Sequence, residues 1–116
     1  MTNTRIASAA LIVNAKSRRG QKLFARACEE MHGLPFPVDA HAVEDPADLE
    51  ATVTRALAKK PDLIVLGGGD GTISGLVDLL VGKDVILGVL PLGTANSFAR
   101  SLGLPLDVAG AVRVLA

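Results

Sequence analysis

Short runs of uninterrupted apolar residues alternate with amphipathic stretches along this chain of 116 residues. Ile6 to Val13, "DLIVL" (Asp62 to Leu66) and "DVILGVLPL" (Asp84 to Leu92) read as strands that are apolar on both faces. Such strands need a helix layer on each side, which is the setting of a parallel sheet. "FPVDAHAV", Phe36 to Val43, is a weaker strand. Gln21 to Met31 places Leu23, Phe24, Ala27 and Met31 at helical spacing, and Gly33 stands where a helix would stop. "EDPADLEATVTRALAKK", Glu44 to Lys60, reads as a second helix. Asp45 suits its cap and Pro46 its first turn; Leu49, Val53 and Leu57 line one face, and Lys59 and Lys60 complement the C-terminal dipole. "TISGLVDLLV", Thr72 to Val81, is a third helix, and "ANSFARSL" and "DVAGAVRVLA" are further ones. Repeated strand–helix units of this kind predict an α/β fold, a three-layer, doubly wound parallel sheet. The last helix runs to Ala116 without a stop signal, so the expectation is one domain of a longer protein, with a second domain beyond residue 116.

Composition narrows the function. Hydrophobic residues make up 49% of the chain, which is incompatible with disorder. With no Trp or Tyr and three Phe, the chain has no aromatic platform for stacking bases. Twelve Lys and Arg balance 12 Asp and Glu, which removes the electrostatic footprint of a nucleic-acid binder. A single cysteine, Cys28, forms no disulfide framework and reads as a passive packing residue. The opening apolar run is short and leads straight into Asn14 and a basic cluster, so it reads as a strand rather than a signal peptide. No apolar run has the length of a membrane span, and the expected location is cytoplasmic, at most peripheral to the inner membrane surface. His32 and His41 lack metal-ligand or nucleophile partners in the sequence and read as surface histidines.

Three polar loops follow three of the strands. "GGGDGT", Gly67 to Thr72, opens the third helix; its glycines allow close backbone approach, and free N–H groups at a helix start attract anions. It is neither a GxxxxGK[ST] loop nor a full GxGxxG fingerprint, since Ser74 takes the third glycine position. Asp70 beside a phosphate is repulsive unless a cation lies between, which suggests Mg²⁺ and nucleotide; alternatively Asp70 only caps the helix. "LPLGTANSFAR", Leu90 to Arg100, repeats the pattern of Gly and Thr before a helix. "NAKSRRG", Asn14 to Gly20, adds Lys16, Arg18 and Arg19. Ligands of doubly wound sheets bind beyond the carboxyl ends of the strands, so the three loops together favour a polyphosphate site.

On "NAKSRRG", "GGGDGTIS" and "PLGTANSFARSLGLP", taken in that order, the chain resembles the catalytic domain of the diacylglycerol kinase family, which includes sphingosine kinases and bacterial lipid kinases. "GGDGT" alone is shared with NAD kinases; the third motif points to the lipid kinases. The resemblance implies the N-terminal, ATP-binding domain of a two-domain kinase over residues 1–116. It implies ATP held by Asn14, Lys16 and Ser17, by Gly68, Gly69, Asp70, Gly71 and Thr72, and by Gly93, Thr94 and Asn96. Asp70 would join the Mg²⁺ network through water, and no catalytic residue falls within the chain, because the general base is expected beyond Ala116. The implied acceptor is a lipid with a free hydroxyl, and the chain alone is expected not to phosphorylate it. Ala15 and Arg18 stand where the family has Pro and Gly, Val43 where it often has Thr, Ser74 and Gly75 where it has Asn-Glu, and Ser97 where it has Asp. These departures keep two alternatives in play: an NAD-kinase-like phosphotransferase and a nucleotide-binding module without catalysis.

Overall fold

The computed structural model describes residues 6–91. Strand β1 (Ala9–Asn14) leads to helix α1 (Arg18–His32) and strand β2 (Val38–Val43). A 3₁₀ turn (Pro46–Asp48) runs directly into helix α2 (Leu49–Ala58), followed by strand β3 (Leu63–Gly68). Helix α3 (Asp70–Val77) tightens into a 3₁₀ turn (Asp78–Leu80) before strand β4 (Ile86–Pro91). The expected α/β class, with its parallel sheet and helix layers, is what the chain adopts. The helices expected over "ANSFARSL" and "DVAGAVRVLA" lie outside the described residues.

Boundaries shift for local reasons. The first strand starts at Ala9 rather than Ile6, where the Ala9 N–H donates to the Pro37 carbonyl at 3.0 Å and opens the ladder with β2. Helix α1 starts three residues earlier than its apolar spacing predicts, because Ser17 caps it: its Oγ accepts from the Gly20 N–H at 3.0 Å. Asp45 caps as expected, its Oδ1 accepting from the Ala47 N–H at 3.0 Å, but the turn that it caps is 3₁₀, with the α-helix beginning at Leu49. Gly33 closes α1 with right-handed backbone (φ −81), so the stop there does not use glycine's special freedom.

All neighbouring strands are parallel, in the order β2-β1-β3-β4. Side chains alternate between faces, so each strand contributes to two cores. Leu11, Val13, Leu63, Val65 and Leu90 pack with Leu23, Ala27 and Met31 of α1. Ala10, Ile12, Ile64 and Leu66 pack on the opposite face with Val43, Leu49, Val53 and Ala56, and with Leu76 and Leu80. Leu11, Ile12, Ile64 and Leu66 are fully buried, and burial of a side chain of this size stabilises by about 1.5–3 kcal/mol. The apolar character of both faces of β1 and β3 thus follows from their central place in the sheet.

The chain passes from β1 outward to β2, then crosses back over β1 to reach β3 on its other side. Right-handed crossovers in opposite directions put α1 on one face and α2 on the other. The turning point lies between the carboxyl ends of β1 and β3, and there α1 and α3 both begin. A crevice at this place is the usual ligand site of an open α/β sheet.

Candidate functional site

Asn14 ends β1 and Gly68 ends β3, so the first two polar loops leave the sheet side by side. Between them opens a cleft of about 490 Å³ lined by Asn14, Lys16, Ser17, Gly68, Gly69 and Thr72. Six residues predicted from separate parts of the sequence therefore share one wall. Asp70 and Gly71 are the first two residues of α3, next to that wall. Gly93, Thr94 and Asn96 lie outside the described residues; their strand stem is next in line, since Pro91 of β4 stands in register with Gly68. Larger hollows lie near the amino ends of β3 and β4 (Lys60, Asp62, Lys83, Asp84) and along β2 (His41, Asp45, Arg55); no described helix N-terminus opens into the first, and the second is bordered by the Asp45-capped turn and, through Asp48 and Thr52, by the start of α2.

Among the described residues, no side chain caps the start of α3. Gly69 occupies the cap position with extended backbone (φ −75, ψ 169) and makes no side-chain cap bond. Gly69 holds the cap position and Asp70 is the first residue of the helix. Among the described residues, a Cβ added at Gly69 or Gly71 would meet nothing within 4 Å, so neither glycine is required by packing against them. Among the described residues, an N-terminus without a side-chain cap, its positive dipole end and the space beside its glycines form a cradle that fits a phosphate group. Helix α1 contributes a second N-terminus, capped by Ser17, with no acidic residue in its first turn. Lys16, Arg18 and Arg19 stand there exposed, and their charges oppose the dipole unless an anion lies nearby.

Other glycines in these motifs serve packing. A Cβ on Gly20 would overlap the carbonyl oxygen of Asn14, so α1 can sit against the end of β1 only with glycine there. Gly67 faces Val13 and Leu23 at 3.0 and 3.3 Å from a hypothetical Cβ, which keeps α1 close to β3. Gly68 has a positive φ of 154 and lies against Asn14 and Thr72. Gln21, which no motif singled out, holds the first loop by donating from Nε2 to the Ala15 carbonyl at 3.2 Å. A glutamine at a helix start carries no sequence signal for such a bond.

Asn14 ties the two loops together. Its Oδ1 accepts from the Lys16 N–H at 3.1 Å, and its Nδ2 donates to Thr72 Oγ1 at 3.3 Å. Val43, at the end of β2, is buried in the core beside α2 and does not line the cleft. His32 is exposed, and His41 pairs with Asp39 at 3.0 Å on β2. Burial pushes the Cys28 thiol up, in keeping with a packing role.

Among the described residues, no group of three His, Cys, Asp or Glu side chains is placed to hold a metal ion.

The family model of the diacylglycerol kinase catalytic domain matches residues 8–116. A diacylglycerol kinase of Staphylococcus haemolyticus is 34% identical over 113 residues, covering 92% of this chain and 34% of that protein. A Klebsiella pneumoniae protein named "Probable lipid kinase YegS-like" is 34% identical over 106 residues, covering 90% of this chain and 35% of its own length. The crystal structure of a diacylglycerol kinase from Bacillus anthracis superposes with a TM-score of 0.72 at 26% identity, over 97% of this chain and 42% of that one. The chain spans about a third of the length of the curated relatives it matches.

Proposed function

The chain belongs to the diacylglycerol kinase catalytic domain family, and from that membership we propose that it presents Mg–ATP for transfer of the γ-phosphoryl group to a lipid hydroxyl. The observation that carries this reading is the cleft at the turning point of the sheet, where two helix N-termini meet and Gly69 and Gly71 of one pack against no other described residue. In this reading the N–H groups at the start of α3 take phosphate oxygens, with Gly69 letting the nucleotide approach the backbone and Gly68 lining the same cleft. Ser17 and Lys16 border the same space, and Lys16, Arg18 and Arg19 offset the charge of the polyphosphate. Gly93, Thr94 and Asn96 complete the nucleotide site from the loop after β4. Mg²⁺, when bound, neutralises phosphate charge, and Asp70 orients its water shell. Phosphoryl transfer needs chiefly positioning and charge stabilisation, both of which fixed backbone donors supply.

The domain assignment follows the same reading. Residues 1–116 form the nucleotide-binding part, and the acceptor site with its general base belongs to sequence beyond Ala116, as the greater length of the relatives supports. No described helix is long and apolar enough to cross a membrane. Calorimetric titration with ATP, with and without Mg²⁺ and with NAD as comparator, tests the proposal. Metal-dependent ATP binding that is lost in Asp70→Ala is the expected result. Preference for NAD, or ATP binding indifferent to both metal and Asp70, would count against it.

A further inference from the structure

We propose that Asn14 is a positioning residue that acts through Thr72, orienting its hydroxyl to donate into the cleft, rather than a phosphate ligand in its own right. The proposal rests on the reading of the cleft as the nucleotide phosphate site. It departs from the sequence motif, which places Asn14 in direct contact with ATP.

The polarity of each group follows from its chemistry. The Lys16 backbone N–H can only donate, so the Asn14 atom 3.1 Å from it is the amide oxygen. The amide nitrogen is thereby turned toward Thr72, 3.3 Å away. An amide nitrogen only donates, so Thr72 Oγ1 accepts this bond and keeps its one proton for another partner. Thr52 of α2 shows the ordinary outcome for a helical threonine, its hydroxyl donating to the Asp48 carbonyl one turn back at 2.8 Å. Among the described residues the Thr72 hydroxyl has no such acceptor, and Thr72 lines the cleft. A phosphate oxygen only accepts, and a hydroxyl with an unspent proton is its complement.

The space for this bond is made by Gly68. A Cβ there would stand 3.4 Å from Asn14 Cβ and 3.3 Å from Thr72 Cγ2. Glycine at 68 lets β1 and the first turn of α3 close on each other, and Asn14 bridges 58 positions of sequence to set the donor.

Mg–ATP affinity of the full chain, measured for Asn14→Ala, Thr72→Val and the double variant, separates the possibilities. A hydrogen bond to a charged group justifies a loss of about tenfold for each single change. The double variant should lose no more than Thr72→Val alone, because without the hydroxyl nothing remains to orient. A double loss near the product of the singles, about 100-fold, would overturn the proposal and return Asn14 to an independent role. Should Asn14→Ala fail to fold by circular dichroism, Asn14→Asp takes its place. It keeps the Lys16 bond but can only accept from Thr72, so its loss should shrink when Thr72→Val is also present; an undiminished loss overturns the proposal. An unsubstituted chain that binds neither Mg–ATP nor inorganic pyrophosphate would sink the phosphate reading and this role together. Binding with additive losses removes only the role of Asn14.

Discussion

A methyl group would have opposite effects on Gly20 and Gly71, the glycines in the first turns of the two helices that meet at the cleft. At Gly20 it would overlap the Asn14 carbonyl oxygen, a backbone atom that cannot rotate away. Gly20→Ala should cost about 3 kcal/mol or more, since overpacking against backbone leaves little room to relax; chemical denaturation measures it. At Gly71 the added Cβ meets nothing within 4 Å among the described residues. Gly71→Ala should therefore stabilise α3 by about 1 kcal/mol, while lowering Mg–ATP affinity because the methyl group fills the cradle. A variant that gained stability and bound nucleotide undiminished would place the phosphates elsewhere. The two glycines look alike in the sequence. Only the distance from each to the neighbouring backbone tells which serves packing and which leaves room.

At the scale of elements, α1 carries its charges the wrong way round for an isolated helix. Arg18 and Arg19 occupy its first turn, where a carboxylate would be favoured. Arg18→Glu is expected to raise stability by about 0.5 kcal/mol through the dipole and to weaken Mg–ATP binding, with the weakening reduced at high salt. Thermal unfolding and calorimetry read the two effects separately. Strand β2 and helix α2 share a different feature at the sheet edge. The His41 ring N–H, and with it the Lys59 ammonium, holds the Asp39 carboxyl below its usual range, against the opposing effect of burial. A lowered carboxylate pKa contributes stability that is present above the ordinary value near 4 and fades as pH falls through the folded value. Asp39→Asn should therefore flatten the acid limb of the stability curve below about pH 4 and leave Mg–ATP affinity at neutral pH as it was. An unchanged acid limb would show that the exposed pair contributes nothing measurable.

For the molecule as a whole, a ligand that binds only the folded chain must stabilise it. Mg–ATP at about 100 times its dissociation constant should add about 2.7 kcal/mol, and NAD at the same concentration much less. A thermal shift assay checks this, and equal shifts from both would weaken the assignment to ATP. The stabilisation depends on the sheet order, because β1 and β3 must be neighbours for their loops to face one ligand.

Strands, helices and the three polar loops were legible from the sequence because each is encoded locally: in periodicity, in caps such as Ser17 and Asp45, and in clustered glycines. Even the early start of α1 had a local cause in Ser17, which the apolar spacing alone overlooks. The family, too, was written in motifs short enough to read directly. Which strands lie side by side was not, since pairing is decided by burial between segments distant in the chain. The order β2-β1-β3-β4 brings residue 14 beside residues 68 and 72. That proximity gives Asn14 a hydroxyl to orient, while packing of β2 against α2 buries Val43 away from the cleft. Local pattern chose the pieces; packing across long sequence separations, where the entropy of loop closure must be outweighed by burial, decided which of them meet.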